Sequence, residues 1–70
     1  MINKLHGKPE LNKVVGMEEK TAFEYLNNLG YEMRVVNRNG SPIMLKADYN
    51  DKRLNVFVES GFVSNIDKLG

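Results

Sequence analysis

The chain has 70 residues, 41% of them hydrophobic and 27% charged. That length makes one small domain, which buries only about 60% of its unfolded surface and has nothing left to wall a deep substrate cleft, so no enzyme is expected. The absence of cysteine excludes a disulfide scaffold and a thiolate metal site, and ten Lys+Arg against nine Asp+Glu argue against the concentrated basic excess of a small nucleic-acid binder.

Residues 1–12 are polar and aperiodic, with Gly7 and Pro9, and are predicted to be an N-terminal tail ordered only near Leu11. Residues 13–70 are then the single domain. Met1-Ile2-Asn3-Lys4-Leu5-His6 lacks the apolar centre of a signal peptide. A cytoplasmic location is expected, or a secreted one if the sequence is a mature form. No run approaches 18 apolar residues, so no membrane partner is expected. Val14-Val15-Gly16 is a short apolar stop that can pair as a stub of strand.

A helix is predicted over 18–28. Ala22, Leu26 and Leu29 recur at i, i+4 and i+7, one face of a helix, with Phe23 beside the stripe. Glu18 and Glu19 place acid at the positive end of its dipole, and Gly30 suits the left-handed position after its last turn. Tyr31 to Asn37 alternates as a strand, with Tyr31, Met33 and Val35 on one side and Glu32, Arg34 and Val36 on the other. Arg38-Asn39-Gly40-Ser41-Pro42 is turn chemistry. Residues 43–52 are extended in character but irregular. A second long strand follows, with Leu54, Val56 and Val58 alternating against Arg53, Asn55 and Phe57. Ser60-Gly61 turns the chain, and Phe62, Val63 and Ile66 supply a last short strand. One helix covering one face of a small sheet, an α+β domain, is the natural architecture.

No catalytic set is visible. His6 is the only histidine and sits in the polar tail, where solvation is its ordinary state. Asp48-Tyr49-Asn50-Asp51 begins like a calcium loop, but its sixth position, where a glycine is needed, is Arg53, although Glu59 suits the twelfth. A polar loop is the simpler reading. Asn39-Gly40-Ser41 lacks the spacing of a phosphate loop and reads as a tight turn. Tyr25, Tyr31 and Tyr49 near Arg34 and Arg53 could stack on bases, yet the balanced charge favours core or half-core roles. Met17, Phe23 and Leu26 could form a partner-binding helix face, but a core stripe is the simpler reading. The unusual feature is the long connection from Gly40 to Lys52, because loops of this length in small domains are generally functional or disordered. A stiff extended segment with its ends held by a sheet is what a protease cleft accepts as a peptide.

With that loop in view, residues 9–70 resemble the potato inhibitor I family of serine-protease inhibitors, which includes eglin and its small bacterial relatives. Pro9-Glu10-Leu11 and Val14-Val15-Gly16 resemble the family's opening, and Ala22 stands six residues after that glycine, like the family's helix alanine. Gly40-Ser41-Pro42 resembles the lead-in to the inhibitory loop, and Ala47-Asp48-Tyr49 the reactive segment, a variable residue followed by an acid and an aromatic. Arg53-Leu54-Asn55-Val56-Phe57-Val58-Glu59 resembles the arginine-bearing strand behind the loop, and Gly61, Val63, Ile66 and Gly70 follow at near-family spacing. The chain departs from the pattern in lacking the family's tryptophan, and in having Lys46 for threonine, Asn55 for a second arginine and Asp67 for proline. The stretch from Gly40 to Ala47 is about two residues longer than in the family.

The resemblance implies a helix on a small mixed sheet, with a long exposed loop between two parallel strands. It implies a protease-binding loop over about 41–51, with Met44, Leu45, Lys46, Ala47, Asp48 and Tyr49 entering the cleft of a subtilisin-like or chymotrypsin-like serine protease. The reactive bond would join Ala47 and Asp48 if the distance to Arg53 is kept. It would follow Leu45 if the distance from Gly40-Ser41-Pro42 is kept. The first register is preferred, because extra residues near Gly40 can be absorbed in a turn. Arg53 would hold Asp48 across the loop base, helped by Asn55. No cofactor, metal, nucleic-acid or membrane partner is expected, and the chain is expected to be a monomer.

Two other readings stand beside it. One is the same fold without inhibition, serving as a protein-interaction module. The other is an unrelated small α+β domain, such as a phage or bacterial regulatory protein, in which Asn39-Gly40 makes a hairpin and residues 33–37 and 42–47 pair antiparallel. The direction of strand 31–37 against strand 53–58 separates them, because the inhibitor fold pairs the two in parallel.

Overall fold

The computed structural model describes residues 8–70. The chain runs α1 (Pro9–Asn12), α2 (Glu19–Asn28), β1 (Glu32–Arg38), β2 (Ser41–Pro42), β3 (Arg53–Glu59) and β4 (Phe62–Leu69). The four strands form one mixed sheet in the order β2-β1-β3-β4. β1 and β3 pair in parallel, whereas β1–β2 and β3–β4 are antiparallel. This is a small α+β fold with a crossover loop, residues 43–52, between the parallel strands. Antiparallel pairing of β1 with the chain after Gly40 is confined to Asn37↔Pro42 and Arg38↔Ser41, so the 33–37/42–47 meander does not form.

The core is Leu11, Val14, Ala22, Leu26, Leu54, Val56, Val58, Val63 and Ile66, all essentially inaccessible. Two expectations are corrected here. Leu29 is 42% exposed, because α2 stops at Asn28 and Leu29 caps it instead of extending the stripe. The domain also reaches back beyond residue 13. Pro9 opens a helical turn, where its fixed φ is favourable. Leu11 enters the core, and the Tyr25 hydroxyl donates to the Glu10 carbonyl at 2.8 Å. The tail assignment for residues 1–7 and the reading of His6 lie outside the described residues.

The backbone groups around α2 find partners in the sheet. The Glu19 N–H donates to the Gly61 carbonyl at 2.9 Å, so the β3–β4 turn caps the helix where Glu18 makes no side-chain cap. Val14-Val15-Gly16 forms a turn rather than a strand. It still docks on β4, since the Gly16 N–H reaches the Val63 carbonyl and the Val63 N–H the Met17 carbonyl, both at 2.8 Å. Arg38 holds both carboxylate oxygens of Glu19, at 2.7 and 3.0 Å, which joins the start of α2 to the end of β1. β4 is eight residues long rather than short. Two register shifts let it pair with β3 while carrying extra residues.

Both hairpin turns use positive φ at two successive residues, Asn39 (53°) with Gly40 (82°) and Ser60 (51°) with Gly61 (85°). That pattern suits two-residue hairpin loops, and asparagine tolerates the first position better than serine. Ser60→Asn is therefore expected to stabilise the domain by about 0.5–1 kcal/mol in urea melts, by relieving left-handed strain at a non-glycine residue. A variant less stable than the parent would show that the turn is not strained.

Candidate functional site

Strand alternation sorts β3 into two faces. Leu54, Val56 and Val58 point to α2 and the core, so Arg53 and Asn55 point to the other side of the sheet, where the crossover loop runs. The same alternation in β1 puts Glu32 and Arg34 on that side. The parallel register then sets Glu32 opposite Arg53 and Arg34 opposite Asn55. Four polar side chains are thereby gathered on the sheet surface beneath the loop.

The loop is fixed at both ends. Its Ile43 N–H donates to the Val36 carbonyl at 3.0 Å. At the other end Asn50 closes a turn, its Oδ1 accepting from the Lys52 N–H at 2.9 Å and its carbonyl from the Arg53 N–H at 3.1 Å. Between these anchors the Asp48 N–H donates back to the Lys46 carbonyl at 3.0 Å, which makes Ala47 the middle of a three-residue turn. Ala47 is exposed. An open hollow of about 370 Å³ separates Met44, Leu45, Lys46 and Asp48 on the loop from Glu32, Arg34 and Arg53 on the sheet.

Two guanidinium groups span that hollow. Arg53 donates from both terminal nitrogens to the two Asp48 carboxylate oxygens, at 3.2 and 3.1 Å. This bidentate geometry is the strongest form of carboxylate–arginine contact. Arg53 is only 6% exposed, and its Nε lies 3.5 Å from a Glu32 carboxylate oxygen without hydrogen-bonding geometry. Arg34 uses all three of its nitrogens on three different parts of the chain. Nε donates to Asn55 Oδ1 at 2.7 Å, one terminal nitrogen to Asp48 at 3.3 Å, and the other to the Gly70 carbonyl at 3.1 Å. Asn55, 1% exposed, uses its amide N–H on the Lys68 carbonyl at 3.1 Å.

Asn55 therefore reaches the loop only through Arg34, whose guanidinium it orients. Arg34 and Gly70 were not singled out from the sequence as site residues. Arg34 looked like an outward residue of an amphipathic strand, and only the register Arg34↔Asn55 brings it under the loop. Gly70 packs closely here, since a side chain at that position would meet the Tyr49 ring at 3.4 Å.

The loop's outer surface is apolar. Seven large hydrophobic side chains stand exposed among the described residues, and four of them, Ile43, Met44, Leu45 and Tyr49, lie within the seven residues 43–49. Met44 is 98% and Tyr49 77% exposed. Isolated exposed hydrophobics need no explanation, whereas four within seven residues are a concentration that does.

Asp48 is not set up to bind calcium, because its carboxylate faces two guanidinium groups. Among the described residues no three His, Asp or Glu side chains gather as a metal site, and no helix is long and apolar enough to cross a membrane. No protein-family model, curated protein or solved structure matches this chain.

Hydrogen bonding to Arg53 holds the Asp48 carboxyl below the usual aspartate range, against a smaller opposing cost of desolvation, with the charges of Arg53 and Arg34 adding to the effect. A depressed folded-state value means that the clamp is complete above the usual aspartate range. It is lost only as pH falls through the lower, folded value. The loop is thus expected to stay fixed from neutrality down through the usual aspartate range and to loosen only as pH falls through the lower, folded value. Carboxyl-carbon NMR titration of Asp48 should give a midpoint below that of a free aspartate, moved upward by Arg53→Ala. A parent midpoint at the free value would show that the pair does not form in solution.

Proposed function

We propose that this protein is a serine-protease inhibitor that offers residues 41–51 to a subtilisin-like or chymotrypsin-like enzyme, with the Ala47–Asp48 peptide bond at the enzyme's nucleophile. The observation that carries the reading is the loop itself. An apolar, exposed segment is tied from behind by two arginines to a single carboxylate, Asp48, immediately after Ala47. The resemblance to the potato inhibitor I family points the same way.

Such a loop inhibits for physical reasons. It enters a cleft already shaped, so little conformational entropy is lost on binding. If the protease serine attacks the Ala47 carbonyl carbon, the Asp48 nitrogen leaves as an amine. Asp48 remains bonded through its carboxylate to Arg53 and Arg34, so that amine stays beside the acyl group and can re-form the peptide bond. Hydrolysis then competes poorly with religation.

The test is an inhibition screen against enzymes of both classes, with intact-mass detection of the slow cleavage. The parent should inhibit, and the cut should fall between Ala47 and Asp48. Alanine fills little of a primary pocket, so Ala47→Leu should tighten binding to an enzyme with a large apolar pocket by about 10- to 100-fold. Ala47→Asp should abolish inhibition. A cut after Leu45 would shift the reactive bond by two residues. Absence of inhibition, with the loop digested rapidly, would reject the reading in favour of a non-inhibitory interaction module.

A further inference from the structure

We infer that the outer edge of β1 is an interface between two copies of this chain, which pair antiparallel through residues 31–35 about a two-fold axis at Met33. This dimer replaces the monomer expected from the resemblance, and it does not depend on the protease reading. β1 is where the sheet is left open. β2 covers only Asn37 and Arg38, and the loop adds one backbone bond, from the Ile43 N–H to the Val36 carbonyl. The opposite edge is guarded. Gly16, Met17 and Glu18 bond to the start of β4, and Asp67 and Lys68 put exposed charges further along it. The Glu32 N–H donates to the Lys52 carbonyl on the β3 side, so alternation turns the N–H groups of Met33 and Val35 outward. Among the described residues no strand pairs with that side of Met33–Val35. Such an edge accepts another extended strand.

The strand that fits best is β1 itself, because its pattern is self-complementary. With Met33 opposite Met33 of the second copy, Glu32 falls opposite Arg34 and Tyr31 opposite Val35, each pair occurring twice. The first pair sets unlike charges together on the loop side of the sheet. The second sets an aromatic against a β-branched side chain on the helix side, where Tyr31, Met33 and Val35 pack against the core. Both are favourable cross-strand combinations. A register centred on Arg34 would instead oppose two guanidinium groups. Phe23 gives an independent argument. It is half exposed, and with Glu19, Lys20, Met33 and Val35 it lines an open hollow of about 430 Å³ along this edge. Antiparallel pairing puts both α2 helices on one face of the joined sheet. Each Phe23 then looks across the axis, where the second copy's Met33 and Phe23 cover it.

Five paired residues and one aromatic per copy make a small interface, so the dimer is weak and reversible, with Kd above about 1 μM. Sedimentation of the full chain from roughly 5 μM to 1 mM should show monomer passing into dimer. Met33→Pro removes the outward N–H at a place where an edge strand tolerates proline. Glu32→Lys sets like charges opposite each other, and Phe23→Lys puts charge on the axis. The two-fold axis doubles every substitution, so each should weaken the dimer about tenfold or more. Circular dichroism should show each variant folded; if Met33→Pro is not, the other two decide. In a mixture of labelled and unlabelled chains, filtered NOEs should join the Tyr31 ring to the Val35 methyls. Within one strand those groups stand about 13 Å apart, so that contact is made only between chains. A chain monomeric over the whole range would overturn the proposal. So would a dimer that lacks this contact, or that keeps its affinity in Glu32→Lys and Phe23→Lys. Neither result touches the protease reading, which rests on the loop.

Discussion

Arg53→Ala is expected to turn the protein from an inhibitor into a substrate while leaving the fold intact. Arg53 contributes nothing to the α2 side of the sheet; its guanidinium spends both terminal nitrogens on Asp48. Removing it leaves the Asp48 carboxylate with a single 3.3 Å contact to Arg34. After cleavage the Asp48 amine would then drift from the acyl group, and water would take its place. The observable is the rate at which protease destroys the inhibitor, which should rise by about tenfold or more, the scale on which losing one partner of a hydrogen-bonded charge pair raises dissociation. Backbone relaxation should show residues 43–51 loosened, with β1 and β3 unchanged. Arg34→Ala should act in the same direction. It should also free Asn55 Oδ1 and the Gly70 carbonyl, so its effect should reach the end of β4, which that of Arg53→Ala should not. Unchanged loop relaxation and unchanged survival in protease would remove Arg53 from the support role.

The second large effect concerns the core. Leu26 is fully buried between α2 and the sheet, and Leu26→Ala should cost about 2–5 kcal/mol, the transfer term plus that of the cavity left behind. A domain of this size has on the order of 4–10 kcal/mol in total, so the variant would be near half-unfolded at moderate urea or worse. Leu29→Ala makes the control. Leu29 shares the helical period with Leu26 but is 42% exposed, so its loss should cost under about 1 kcal/mol. Equal losses at the two positions, or a Leu26→Ala cost under about 0.5 kcal/mol, would show the helix face to be misplaced.

The contrast between Leu26 and Leu29 shows where periodicity stops being informative. Both satisfy the apolar spacing, and only the point at which α2 ends decides which one is buried. Leu11 errs in the opposite direction. A lone apolar residue in a polar stretch carries no period, yet it completes the core, because residues 9–12 make one helical turn whose neighbour is Tyr25. Local pattern cannot report a contact whose partner is fifteen residues away.

The loop site divides in a similar way. The long connection, its turn at Asn39-Gly40 and the placing of Arg53 and Asn55 on one strand face were legible from residue types and a period of two. The pairing of Asp48 with Arg53 was an expectation of the family resemblance alone, because residue types do not choose among Glu32, Asp48, Asp51 and Glu59 as its partner. Arg34 was not legible as a member, nor was Gly70.

By itself the sequence determined a cysteine-free α+β domain, with one amphipathic helix, two long strands, and a long connection between them. These follow from local chemistry, because backbone propensity and side-chain alternation act over a few residues. The parallel run of β1 and β3 was already implied by the family resemblance; tertiary structure alone decided its register Arg34↔Asn55, that α1 belongs to the core, and that Arg34 shares Asp48 with Arg53. A one-residue slip of β1 would turn Arg34 to the helix side of the sheet and leave Asp48 with one guanidinium. What favours the register is the packing of Met33 and Val35 of β1 beside Leu54 and Val56 of β3 on the core side, so a non-local packing requirement on one face of the sheet assembles the polar clamp on the other.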